Sequence, residues 1–431
     1  MIPGLCLLCL LFSAAAEPLP PAPAEAVTLP APTGPYPVGT TVWRVTDAAR
    51  PETFAGAGVR RQVEVLAWYP AAAASAAAAD RGEPAPYLRE GLAELPPGLR
   101  SPLGSLAKVR THAILNAPPA ASPKKLPVLV FSHGIGGIPS SYTALLEDLA
   151  SHGYAVLSIV HPYEATAATL ADGQVISLFD DAGKPRQTFN DVIAEWSRED
   201  ETMAAVTREA KEEDQLRLLR GYLAGLHATQ ATVDRWVADT KLVLDQLSSL
   251  PKTGAAGRLA ARLDLGRLGA FGHSMGGVVS GEFCLADGRC RAGLNLDGIP
   301  QYGTMIDRRL SQPFLMVYSA RPGRTGASDA IYRRAASRYY RCDVRSTLHL
   351  DFSDMILWDG PLRQNGALGT LAPARAVEIT RTIVREYFDQ ELLGRRSALL
   401  AGTSSLPEVT VRILPTKVSK PTTPRAHADG G

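Results

Sequence analysis

Charge of one sign is what this 431-residue chain plainly lacks: 45 Lys and Arg face 43 Asp and Glu, for a net charge of +2. A nucleic-acid partner is usually met by a strongly basic stripe, so none is expected. Lysine is scarce, nine of the 45 basic residues, which bears on coding bias rather than function. No stretch approaches the ~20 apolar residues of a membrane helix. The cysteines outside the amino-terminal apolar run lack paired spacing, and H-E-x-x-H is absent, so no metal site is expected. There is no G-x-x-x-x-G-K-[ST], and no G-x-G-x-x-G after a strand, so no nucleotide or other cofactor is expected. What is present is apolar: 45% of residues are hydrophobic and 20% charged, a balance that excludes disorder as the main state.

The ends differ from the middle. Leu5 to Phe12 is an apolar run of signal-peptide length, and Ala14 and Ala16 supply small residues for cleavage. No Lys or Arg precedes it. Residues 1–16 are read as a signal peptide and the protein as exported, to the periplasm or the medium. Cys6 and Cys9 would leave with it. Residues 17–38 form a Pro/Ala-rich extended leader, Ala71 to Ala79 a surface insertion, and 413–431 a disordered tail. In an oxidising compartment Cys284 and Cys290 could close a short loop by a disulfide, leaving Cys342 as a buried small hydrophobe.

Residues 39–412 read as one domain. Thr41–Thr46 and Gln62–Tyr69 alternate like half-buried strands. Leu126–Phe131, Ala155–Val160, Leu268–Phe271, Ala292–Leu296 and Phe314–Tyr318 are continuous apolar runs, separated by helical patterns such as Ser141–Ser151 and Met275–Leu285. That alternation predicts an α/β fold with a mostly parallel central sheet and helices on both faces. Functional groups in such sheets gather at the carboxyl ends of strands. A helical insertion spans Gln187 to Leu250. Its charged first part, 187–231, is a candidate cap, and Thr232–Leu250 a helix of the outer layer.

Gly272-His273-Ser274-Met275-Gly276 fits G-x-S-x-G between a strand and a helix. A serine hydroxyl needs a general base, itself oriented by a carboxylate, and in this α/β-hydrolase arrangement the order is Ser, acid, His. Only His349 and His427 follow Ser274, and the latter lies in the tail, so His349 is the candidate base. Asp297 closes the run 293–296 and is the candidate acid, with Asp307, Asp329 and Asp343 as rivals lacking such a strand end. The oxyanion donors expected are the backbone N–H groups of Met275 and of Ile135, in the loop His133-Gly134-Ile135-Gly136-Gly137. His133 and His273 flank the site and are expected to fix loops. His133 and Trp358 also stand as candidate substrate contacts.

Several segments together resemble the plasma-type platelet-activating-factor acetylhydrolases and their bacterial relatives, over roughly residues 35 to 412. They are Gly34-Pro35-Tyr36-Pro37-Val38-Gly39-Thr40-Thr41, Trp68-Tyr69-Pro70-Ala71, Phe131 to Gly137, Leu149 to Tyr154, and Gly272 to Gly277. The resemblance implies a calcium-independent serine lipase of the α/β-hydrolase fold that removes short or oxidised sn-2 acyl groups from phospholipids. It places nucleophile, acid and base on Ser274, Asp297 and His349. Relatives grade into carboxylesterases and polyester hydrolases, which remain alternatives for the substrate. A non-catalytic binding protein on the same scaffold is the alternative of another class. The segments Met355–Trp358 and Tyr87–Leu92 are candidate counterparts of the family's lipid-touching helices, for transient contact with a membrane surface.

Overall fold

The computed structural model describes residues 27–72, 84–89, 91, 93–101, 103–403 and 406–416. The expected signal peptide, most of the alanine-rich insertion and most of the tail lie outside these residues.

Ten strands form one sheet. In chain order they are β1 (Val38–Pro51), β2 (Arg60–Pro70), β3 (Ile114–Leu115), β4 (Leu126–Ser132) and β5 (Ala155–Val160), then β8 (Leu263–His273), β9 (Cys290–Leu296), β10 (Leu310–Tyr318), β11 (Ala336–Val344) and β12 (Val409–Leu414). A small separate hairpin, β6 (Ala168–Thr169) with β7 (Val175–Ile176), lies between β5 and β8. The spatial order is β12-β11-β10-β9-β8-β4-β5-β2-β1-β3. Six neighbours, β5-β4-β8-β9-β10-β11, run parallel. The flanks β2 and β12 pair antiparallel to them.

The unbroken apolar runs are explained by burial on both faces. Along β4, Leu129 and Phe131 enter one core, while Leu126, Val128 and Val130 enter the other. This is the two-residue period of a strand covered on both sides. The principal helices are α1 (Thr143–Ser151), α2 (Gln187–Glu195), α3 (Glu199–Arg208), α4 (Glu212–Leu223), α5 (His227–Gln246), α6 (Met275–Ala286), α7 (Asp329–Ala335) and α8 (Pro373–Leu393). Helix α8 begins with Pro373, whose missing N–H costs nothing in the first turn, and ends at Gly394 in the left-handed conformation. Its Ile383, Val384, Tyr387 and Phe388 pack into the same core as Leu129 and Phe131.

Two boundaries differ from the sequence reading. Residues 27–37 were expected to extend without a core, yet Leu29 is buried and Thr33 donates from both N and Oγ1 to Asp148 Oδ1, at 2.8 and 2.9 Å. At the other end β12 runs to Leu414, beyond the expected limit at 412, because it adds an antiparallel edge to β11. Cys284 and Cys290 are joined by a disulfide, and Cys342 is buried and free.

Candidate active site

The parallel strands aim their carboxyl ends at one region, and the turns after β4, β8, β9 and β10 meet there. After β8 the chain turns sharply into α6. Ser274 occupies the turn with φ 57° and ψ −124°, a region costly for a residue with a Cβ. The turn closes because its neighbours are glycines. A Cβ on Gly276 would lie 1.9 Å from the Ser132 carbonyl oxygen, and one on Gly272 2.3 Å from Gly276 itself. The Ser274 side chain therefore projects from the tip of the turn, at the N-terminus of α6. The leading amides of that helix, Met275 first, have no intrahelical acceptor and favour negative charge.

His349 reaches Ser274 from the far side. Its Nε2 lies 2.9 Å from Ser274 Oγ and its Nδ1 2.8 Å from Asp297 Oδ2. The imidazole is 27% exposed, whereas Asp297 is fully buried. His349 sits on a well-held turn. Asp351 Oδ2 accepts the N–H groups of Leu348 and Gly369 at 2.7 and 2.9 Å. The carbonyl of His349 accepts from His273 Nε2 at 2.8 Å. Because a carbonyl only accepts, His273 carries its proton on Nε2, and its Nδ1 accepts from Tyr142 Oη at 2.9 Å.

Asp297 has more partners than the histidine. Its Oδ1 accepts the Ser319 N–H at 2.8 Å, and its Oδ2 the Ser319 hydroxyl at 2.9 Å. Arg321 Nη2 lies 2.9 Å from the same Oδ2 and 3.0 Å from the Asp297 carbonyl. Burial opposes ionisation of Asp297. The Arg321 charge and the hydrogen bonds from His349 and Ser319 outweigh it and hold the carboxyl well below the usual carboxylate range. His349 is lowered from the ordinary imidazole value by burial and by the Arg321 charge, with Asp297 acting in the opposite sense. Burial first, with the charges of His349 and Arg321 acting in the same sense, takes His273 down to about 3, so this neighbour stays neutral.

The loop after β4 faces the serine, and the site a Cβ would take on Gly134 is 3.2 Å from Ser274 Cβ. It carries Ile135 and is braced from behind. Gly136 N–H donates to the Glu164 carbonyl at 2.8 Å, and Thr166 grips Gly136 and Gly137 through Oγ1 and N. The Glu164 carboxylate is in turn held by Arg235 and by Trp236 Nε1, both on α5.

The structure brings Ser274, His349, Asp297, Met275 and the Ile135 loop together, and leaves Asp307, Asp329 and Asp343 in other pairings. His133 does not offer a substrate contact. It is fully buried, its Nδ1 donates to the Gly134 carbonyl at 2.8 Å, and its Nε2 accepts the His161 N–H. Trp358 stands edge-on to Tyr87 with ring centroids 5.6 Å apart. Met355, Ile356, Tyr87 and Leu88 are turned into the core rather than presented as an apolar surface. The insertion is seated against the loops after β9 and β10. Trp196 stacks on Tyr302, Glu199 accepts from Tyr302 Oη and Arg324, and Asp200 pairs with Arg324. Arg321, Ser319 and Tyr142 escaped the sequence reading. The available signal was the end of the run 314–318, whose following residues are Ser319-Ala320-Arg321. Among the described residues no group of three or more His, Cys, Asp or Glu is placed to hold a metal.

A family model described as platelet-activating factor acetylhydrolase, isoform II, matches residues 22–362. A probable 1-alkyl-2-acetylglycerophosphocholine esterase of Arthroderma benhamiae is 23% identical over 308 residues, 66% of this chain and 65% of that protein. The platelet-activating factor acetylhydrolase of Cavia porcellus is 26% identical over 280 residues, 62% of this chain and 58% of that protein. The chain thus spans under two thirds of the length of these relatives. Among solved structures, a ferulic acid esterase from Streptomyces cinnamoneus superposes with a TM-score of 0.67 at 28% identity, over 90% of this chain and 99% of that one.

Proposed function

The chain belongs to the platelet-activating factor acetylhydrolase, isoform II, family, and from that premise we propose that it is a serine ester hydrolase cleaving short acyl esters, with sn-2 acyl groups of platelet-activating-factor-like phospholipids as the substrate class. The observation that carries this reading is the unbroken relay from Ser274 Oγ through His349 to Asp297, at 2.9 and 2.8 Å. In the proposed mechanism Ser274 attacks the ester carbonyl as His349 takes its proton, and Asp297 stabilises the resulting imidazolium. The amides of Met275 and Ile135 hold the oxyanion. His349 then returns the proton to the leaving alcohol, and water, activated by the same imidazole, releases the acyl group from Ser274.

A second reading keeps this machinery and assigns a neutral carboxylic ester or polyester. The ferulic acid esterase favours it, since the likeness there extends over 99% of that chain and only 58–65% of the two curated relatives is covered. Acyl release from an acetyl phosphatidylcholine analogue and from a neutral short-chain ester, by wild type and Ser274→Ala, separates the two. Preference for the phospholipid, lost in the variant, supports the first reading. Preference for the neutral ester, also lost, supports the second. Export to the periplasm or the medium belongs to the same proposal. The Cys284–Cys290 disulfide supports it, being typical of an oxidising compartment. A secreted or periplasmic product whose amino terminus is Glu17 is the expected result, and an uncleaved cytoplasmic product would refute it.

A further inference from the structure

Three donors converge on a single oxygen, Asp297 Oδ2: His349 Nδ1 at 2.8 Å, Ser319 Oγ at 2.9 Å and Arg321 Nη2 at 2.9 Å. The first two suffice to orient a carboxylate and to fix the histidine's tautomer. The third adds a full positive charge. Among the described residues, the hydrogen bonds of the Arg321 guanidinium go to Asp297 alone, and its Nε has no partner. The side chain is 19% exposed, so its charge is only partly screened by solvent.

A buried carboxylate with no cation nearby attracts a proton onto the imidazole beside it. With Arg321 in place, the Asp297 charge is already balanced when His349 is neutral. We propose that Arg321 is a positioning residue of this site, a fixed cation that keeps His349 unprotonated to lower pH and so sets the acid limb of the enzyme's pH profile. The inference rests on the serine-hydrolase reading of Ser274, His349 and Asp297.

The other charged and titratable groups around His349 leave this role to Arg321. His273, at the end of β8, has its ring 4.5 Å from that of His349 and is neutral. Arg324, in the same loop as Arg321, lowers His349 in the same sense but ranks last among the causes, its charge being paired with Glu199 and Asp200 of α3. Asp351, on the histidine's own turn, accepts two backbone N–H groups. Asp297 is the remaining partner. The direction agrees with the arrangement, since the Arg321 charge ranks next after burial among the causes that lower His349. The cost falls on the charged state: the same cation weakens the attraction of Asp297 for the imidazolium formed during attack.

The test is the pH dependence of kcat/KM for p-nitrophenyl acetate, read as acetate released, in wild type, Arg321→Gln, Arg321→Lys and Ser274→Ala. Removing the cation raises the affinity of His349 for its proton. The acid limb of Arg321→Gln should therefore move to higher pH by about half a unit to one unit, and Arg321→Lys should recover most of that shift. A merely structural role would lower the plateau rate in both variants and leave the limb where it is, and that result would overturn the inference. Arg321→Met, which keeps the aliphatic stem, provides a second neutral variant. If neither neutral variant folds, the charge serves the fold rather than the base, and the inference is likewise overturned. Wild-type turnover that survives in Ser274→Ala would instead refute the underlying hydrolase reading, whatever the Arg321 variants do.

Discussion

Ser274, His349 and Asp297 could be located from the chain because each has a local signature: a glycine-flanked strand-to-helix turn, the single histidine following it outside the tail, and an aspartate closing an apolar run. Arg321, Tyr142 and Glu164 had none. Their roles depend on where distant segments land, as when Glu164 meets Arg235 and Trp236 about seventy positions later. Asp297, the proposed acid, offers the sharpest residue-level check. In Asp297→Asn the oxygen facing the Ser319 N–H is retained only if the amide NH2 points at His349 and Arg321, both of which are donors. The imidazole is then held in the wrong tautomer, and kcat should fall by about 10⁴-fold with the fold intact. Steady-state kinetics with near-normal turnover would show that another group serves as the acid.

Strands β4, β5, β9 and β10 were legible because a strand covered on both faces has no polar side to show. Edge strand β12 was missed for the opposite reason. It is half exposed along its length, and its last two residues, Ile413 and Leu414, fall into the stretch read as a polar tail. The element with least tolerance is the turn from β8 into α6. Gly276→Ala would place a methyl 1.9 Å from a backbone oxygen of β4, which no side-chain rotation relieves. We expect a loss of about 3 kcal/mol or more in stability, together with loss of activity, because the displaced turn carries Ser274. A thermal melt of the variant checks this. An unchanged melting temperature would mean that the turn yields where the packing says it cannot.

At the scale of the whole molecule, a buried charge network beneath the loop after β4 joins β1, β2, the loop after β5 and α5. Arg61 pairs with Asp239 at 2.6 Å and Glu52 at 3.1 Å. Asp239 also meets Arg50 through Oδ1 and, through the Oδ2 that Arg61 holds, His161 Nδ1 at 2.9 Å. Burial lowers His161 and His133 to about 4, with their hydrogen bonds opposing the shift only in part. Both are therefore neutral in the fold at pH values where an unfolded histidine, titrating near 6.5, is already protonated. Between about pH 6.5 and 4 the unfolded state binds more protons, so stability falls as the pH is lowered. Calorimetry should show a melting temperature that is level above about pH 7 and declines steadily toward pH 4. His133→Gln should reduce the slope, and a curve flat across this range would contradict the assignment of two buried neutral histidines.

Intact-mass measurement after incubation with a fluorophosphonate tests, without assuming a substrate, whether Ser274 is a nucleophile activated by His349 and Asp297. One covalent adduct is expected on the wild-type chain, mapped to Ser274, and none on folded Ser274→Ala. A folded wild type that gains no adduct, or an alanine variant labelled equally, would contradict that role for Ser274.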